Sequence, residues 1–326
     1  MRDRITKRIL ISPLWIAGMV WVWLLALSPS LVLADAAPPW TAQGGAVTPG
    51  DEPTQVAMIS ETVTMIIEPL VPADPDVARA DERMVAHAEA TFLMRNQGTE
   101  AEALDVWFPT TSRDDYGWDF SYPSPIETFR AWVNGEPAAV AEATGQDDHA
   151  TTWATWPVIF PPGEDVLLRV TYDTHPIGWG PWGSLPYVLE TGAGWRGAIG
   201  EGTITFRLPY EVTPMNVQLA EMREAYTGPD RPFEITVDGT DVTWHFTDLE
   251  PERSEHPWSM TGRETDNPTL TLLAPAVWAE IEAAQAEAEA HPDAVEAHLR
   301  LAEALEGGTH RKDVIFHKEA NTLLIE

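Results

Sequence analysis

The feature that most constrains this chain is a period-two alternation of apolar and polar residues. It recurs, between turn signals, across residues 56–246. Successive side chains of a strand point to opposite faces, so each such run describes a strand with one buried and one solvated side. Val56, Met58 and Ser60 share one face; Val63, Met65 and Ile67 continue it after a one-residue phase change of the kind a β-bulge produces. Ala86, Ala88, Ala90, Phe92 and Met94 alternate against His87, Glu89, Thr91, Leu93 and Arg95, and Asn96-Gln97-Gly98 then turns the chain. Residues 104–109 predict a third strand. Asn134-Gly135, set between residues 129–133 and 136–140, predicts a hairpin, because both positions of a type I′ turn need positive φ. Residues 153–160 and 165–172 predict another pair across Pro161-Pro162-Gly163, and residues 233–237 and 242–246 a further hairpin across Asp238-Gly239.

These runs predict a mostly β chain: an antiparallel β-sandwich, one elaborate or two linked, with a first unit over 56–174 and a second over 175–274. At Pro275 the pattern becomes helical. Trp278 and Ile281 lie three apart, Leu301 and Leu305 four apart, and His291-Pro292-Asp293 separates the two segments, so residues 275–326 predict a short α-helical hairpin.

The amino terminus has a basic start (Arg2, Arg4, Lys7, Arg8), an apolar run over 9–34, and small residues around Ala34 and Ala36 preceded by Ser28-Pro29-Ser30. This is the pattern of a secretory signal peptide over residues 1–36. An uncleaved anchor is the alternative, since the run matches the roughly 20 apolar residues that span a bilayer. Residues 37–55, rich in Ala, Pro, Gly and Thr, predict a linker. The expected location is outside the cytoplasm: secreted, periplasmic or at the cell surface, or retained there by the uncleaved helix.

With no cysteine in the chain, disulfides, thiolate chemistry and lipidation of an amino-terminal cysteine are all ruled out. Removing residues 1–34 takes Arg2, Arg4, Lys7, Arg8 and Asp3 from the 20 basic and 51 acidic residues, leaving 16 and 50, a net of −34. Such a charge repels nucleic acid and anionic lipid, both of which demand a basic surface, so neither nucleic acid nor peripheral binding to an anionic membrane is expected.

Tyr187 to Gly200, with Gly192-Ala193-Gly194-Trp195 at its centre, resembles a stretch in exported bacterial proteins of the domain-of-unknown-function family numbered 4424. Phe92 to Asn96, Val106 to Pro109, Val133-Asn134-Gly135 and Phe160 to Gly163 follow in the order of that group. The resemblance covers roughly residues 56–250 and implies a compartment and a β fold; the family carries no assigned activity. Separately, His291-Pro292-Asp293-Ala294 with Leu301-Ala302 and Leu305 resembles part of a tetratricopeptide repeat, a unit that normally buries its face by stacking about three copies. The resemblance implies a partial repeat packed on the sandwich, or one continued in a longer chain.

Catalytic and metal motifs are sparse. There is no Gly-x-Ser-x-Gly elbow, and the nine histidines form no His-x-His or His-x-x-x-His pair. Asp114-Asp115, Asp147-Asp148 and Asp74-Pro75-Asp76 lack the alternating pattern of a calcium loop and read as solvated acidic turns. No cofactor or metal is expected. Twelve tryptophans follow the signal segment, several in turn-rich stretches. Tyr116, Trp118, Trp179, Trp182 and Trp195 are the candidate binding residues, because exposed flat rings stack on sugars or anchor interfaces; Trp107, Trp132 and Trp244, in alternating context, read as core. The functional expectation is an exported, non-catalytic β-sandwich protein that binds a protein or glycan partner at the cell envelope. The alternative is a carbohydrate-active or cell-wall hydrolase with paired carboxylates, whose separation sequence cannot supply.

Overall fold

A computed structural model describes residues 47–49, 54–72, 80–110, 126, 128–144, 152–178, 180–218, 233–251 and 268–308. Residues 1–46, which include the expected signal segment and most of the expected linker, and residues 309–326 lie outside these residues. The architecture is mostly β with a short helical pair at its end, as the alternation predicts.

One sheet of eight strands organises the molecule. Its strands are β1 (Val56–Pro69), β2 (Met84–Asn96), β4 (Arg130–Val133), β5 (Glu136–Pro137), β8 (Asp165–Thr174), β10 (Ile199–Arg207), β12 (Phe233–Asp238) and β13 (Asp241–Leu249), in the spatial order β12-β13-β10-β1-β2-β8-β4-β5. Two sheets of three strands accompany it. One is β3 (Glu102–Pro109), β7 (Thr152–Phe160) and β6 (Ala141–Thr144); the other is β11 (Val217–Gln218), β14 (Thr269–Leu273) and β9 (Trp182–Pro186). The pairings are antiparallel except one: β1 and β10 run parallel, with Thr62 beside Thr203 and Thr64 beside Thr205.

That parallel pair joins the two halves of the chain. A boundary at 174/175 would cut the eight-stranded sheet between β1 and β10, so the expected units 56–174 and 175–274 share one sheet and one apolar core. Strand order is a non-local choice, invisible to a local alternation pattern. The expected linker also contributes: Thr48 bridges Trp107, and Val47 is wholly buried.

The predicted pairing of residues 153–160 with 165–172 does not occur. β7 belongs to a small sheet and β8 to the large one, so Pro161-Pro162-Gly163 carries the chain around a corner instead of closing a hairpin. Two consecutive prolines supply no N–H for a ladder. The buried Asn96 holds the corner, donating through Nδ2 to the carbonyls of Phe160 (2.9 Å) and Glu100 (2.8 Å) while its Oδ1 accepts from the Gly98 N–H (2.8 Å).

The other local signals meet their expected structures. Asn134 (φ 52°) and Gly135 (φ 85°) both sit at positive φ between β4 and β5. Gly239 (φ 59°) is the first of the two residues joining β12 to β13, the glycine position of a type II′ turn. The phase change in β1 is a register shift between Met58 and Ser60, earlier than expected, so Ser60 lies on the outer face with Thr62 and not with Val56 and Met58. Inward of it lie Val63, Met65 and Ile67 with Ala86, Ala88, Ala90, Phe92 and Met94 of β2, all buried. Small-sheet side chains cover this face: Phe108 of β3 packs on Tyr172 of β8, ring centroids 4.9 Å apart.

A short helix α1 (Ala80–Arg83) leads into β2; α2 (Pro275–Ala290) and α3 (Val295–Gly308) form the predicted pair. Trp278 and Ile281 of α2 are buried, Trp278 against Tyr210 (centroids 6.1 Å). Ala288 and Ala297 are buried where the helices approach, while Val295 and Leu299, one turn apart on α3, are 65 % and 57 % exposed.

Candidate functional site

The rings proposed for binding divide into two groups. Tyr116, Trp118 and Trp179 lie outside the described residues. Trp182 and Trp195 are buried, 5 % and 4 % exposed, and offer no stacking face, which corrects the expectation for both. Trp182 Nε1 donates to the Gly308 carbonyl (2.8 Å), satisfying one of the last carbonyls of α3 that the helix itself leaves open. Trp195 Nε1 donates to the Val47 carbonyl (2.8 Å), and its ring meets Phe160 edge-on at 5.9 Å. Turn-rich flanks suggested exposure, yet both indoles bond to segments remote in sequence, the end of α3 and the strip at Val47. A buried indole finds a partner for its N–H, and here the partner is remote in sequence.

The outer face of the eight-stranded sheet carries a groove of about 390 Å³ over β1, β10, β13 and β12. Ser60 and Thr62 of β1, Glu201 and Thr203 of β10, His245 and Thr247 of β13, and Glu234 of β12 line it. The inward-facing residues between them, among them Glu61, Gly202 and Phe246, are buried, so they form its floor through their backbone. Alternation builds the site: every second residue of four neighbouring strands points into the groove and those between point into the core. Gly202 makes room for the ring of its cross-strand partner Phe246, since a Cβ there would lie 1.9 Å from that ring.

Among the described residues the lining is hydroxyls, two carboxylates and one imidazole, with no Lys or Arg. His245 Nδ1 and Thr203 Oγ1 are 3.2 Å apart, a hydrogen bond that orients the ring. Such a surface accepts hydrogen bonds from hydroxyl or ammonium donors and repels anions. Among the described residues no group of three or more His, Asp and Glu side chains is placed to hold a metal ion.

Beneath the floor sits a residue the sequence reading overlooked. Glu61 is 1 % exposed on the inner face, between Phe92 of β2 and Gly202 of β10. Tyr187 donates its hydroxyl to Glu61 Oε1, and Oε2 has no hydrogen-bond partner among the described residues. Burial pushes the Glu61 carboxyl up to about 7 against a smaller downward pull from the Tyr187 bond, and burial likewise raises the Tyr187 phenol well above its ordinary value. The signal was available: counted back from Ile67, Met65 and Val63, the apolar phase lands on Glu61.

Neither a family model nor a curated protein matches this chain. Among solved structures it is similar to a "putative nutrient binding protein" of Legionella pneumophila, with a TM-score of 0.49, 18% identity, and 74% of this chain and 75% of that one covered. It is also similar to an M1 zinc metallopeptidase of Deinococcus radiodurans (TM-score 0.30, 12% identity, 60% of this chain) and to yeast LTA4 hydrolase (TM-score 0.32, 8% identity, 60% of this chain). The chain spans 39% and 27% of the lengths of those two enzymes. At these scores none of the likenesses bears on activity.

Proposed function

We propose that this chain is an exported, non-catalytic β-rich protein that acts by binding at the cell envelope, with the outer groove as its site and a neutral or amino-bearing glycan as its ligand. The carrying observation is the groove's lining: Ser and Thr hydroxyls, Glu201, Glu234 and the His245 imidazole on four adjacent strands, with no Lys or Arg among the described residues that line it. Neighbouring sugar hydroxyls donate to a carboxylate as a pair and to serine or threonine oxygens singly, and strands hold those acceptors rigidly, which lowers the ordering cost of binding. Phosphorylated or acidic glycans are disfavoured by the same carboxylates. Export is read from the amino-terminal pattern, and the exposed Val295 and Leu299 of α3 support a separate contact with a protein partner.

A glycan array probed with the full chain tests this reading. Retention of neutral or amino sugars, weakened at least tenfold by Glu234→Gln and by Thr203→Val, is the expected result. Failure to retain any glycan sinks it, and release of reducing ends from a bound glycan would replace it with the hydrolase alternative.

A further inference from the structure

The groove lies on a longer feature of the outer face. Register places one outward side chain from each of seven strands in a single row crossing the sheet. Trp132 of β4, expected in the core but half-buried on the outer face under Arg169, pairs with Arg169 of β8, Arg169 with Thr91 of β2, and Thr91 with Thr62 of β1. The row continues through the groove, from Thr62 to Thr203, then His245, and ends at Glu234 on the edge strand. Buried neighbours on either side of Thr62, Thr91 and Arg169 fix these side chains as outward. Six interstrand steps of about 4.8 Å make the row roughly 29 Å long. Arg169 lies over the Trp132 indole, its Cζ 4.0 Å from the ring centroid, and reaches Glu89 at 3.5 Å, so the one strong cation of the row is both stacked and offset by a carboxylate.

We infer that this row is a binding track for an extended glycan laid across the strands, with the groove as one end and the Trp132–Arg169 stack as the other. The inference rests on the glycan reading of the groove and adds chain length and direction to it. A pyranose unit advances a polymer by about the spacing of one strand, so a row of donors and acceptors repeating every about 4.8 Å suits a sugar chain. The indole adds an apolar edge of the kind sugar rings pack against, at low entropic cost. An extended peptide fits less well: it gains affinity by pairing its backbone with a sheet edge, and the interior strands of this face have their backbone groups committed to neighbours.

Calorimetry with N-acetylglucosamine oligomers and glucose oligomers of two, four and six units tests the track on the full chain. The expected result, in at least one series, is six units binding at least tenfold more tightly than two. Trp132→Ala should remove that gain while leaving the two-unit affinity unchanged, and Trp132→Phe should restore most of it. Glu234→Gln should weaken every length alike. Circular dichroism of each variant checks that it is folded. Equal affinity at all lengths, with Trp132→Ala without effect, overturns the track and leaves the groove reading standing. No binding in either series overturns the track, and the array result then decides the fate of the groove separately.

Discussion

Glu61 shows how much one residue of a strand can carry. It occupies a core position by phase, surrounded by Phe92, Gly202 and the Tyr187 hydroxyl, and no cation is among the causes acting on its carboxyl. A carboxyl whose pKa rises from 4.5 to about 7 on folding binds its proton more tightly in the folded state. Its contribution to stability is therefore fully present below about pH 4.5, falls as pH rises from there to about 7, and is level above. The loss across that window is on the order of 3 kcal/mol. Glu61→Gln, isosteric and unable to ionise, should match the parent near pH 4.5 and exceed it by up to about 3 kcal/mol near pH 8 in denaturant titrations. A difference that does not change with pH would show that Glu61 is solvated or compensated. Other carboxylates act in the opposite sense: the Arg95 guanidinium holds Asp165 below its usual range through a bond of 2.8 Å, but both are surface groups. Comparing the variant with the parent removes their contribution.

Among the elements, the helical pair separates what a stripe can predict from what packing decides. Trp278 and Ile281 were legible as the buried face of α2, because they lie three apart and meet the core. On α3 the expected stripe is met in part, since Leu305 packs against the core and Leu301 is half-buried; the small Ala297 is buried as well, and the larger Val295 and Leu299 are exposed. Ala288 and Ala297 permit a close approach that a longer side chain would prevent. Ala297→Leu should consequently cost about 1–3 kcal/mol through overpacking, whereas Leu299→Glu should change stability by less than about 0.5 kcal/mol. Thermal unfolding of the two variants checks this contrast, and a large loss for Leu299→Glu would mean that α3 buries that face. The Asn134-Gly135 hairpin was legible for the opposite reason, since its geometry is decided within two residues whose φ angles few other pairs tolerate.

At the scale of the molecule, the joining of β1 to β10 makes the two sequence halves interdependent. Residues 56–69 supply the central strand between the amino-terminal half of the large sheet and β10, β13 and β12. Far-UV circular dichroism and tryptophan fluorescence should therefore report one coincident unfolding transition for the body, as a single cooperative unit gives. Two resolved transitions, divided near residue 175, would mean that the halves behave as linked domains after all. The aromatic reading failed at this scale too: Trp182 and Trp195 sit in turn-rich sequence, but their N–H groups bond to carbonyls 126 and 148 residues away. The groove shares that origin, drawing its lining from β1, β10 and the β12–β13 hairpin, which only the sheet brings together.

The sequence alone determined the strand class, the buried face of most strands, a bulge in β1, the Asn-Gly turn, the absence of thiol chemistry and the helical pair. Each of these depends on side chains a few residues apart or on composition, where steric and hydrophobic preferences act directly. Only the tertiary structure decided which strands share a sheet, that Pro161-Pro162-Gly163 turns a corner, that two tryptophans bond to carbonyls remote in sequence, and that hydroxyls from different strands align into one row. Those are pairings across long sequence separation, set by the burial of whole faces and by registers that no local pattern encodes.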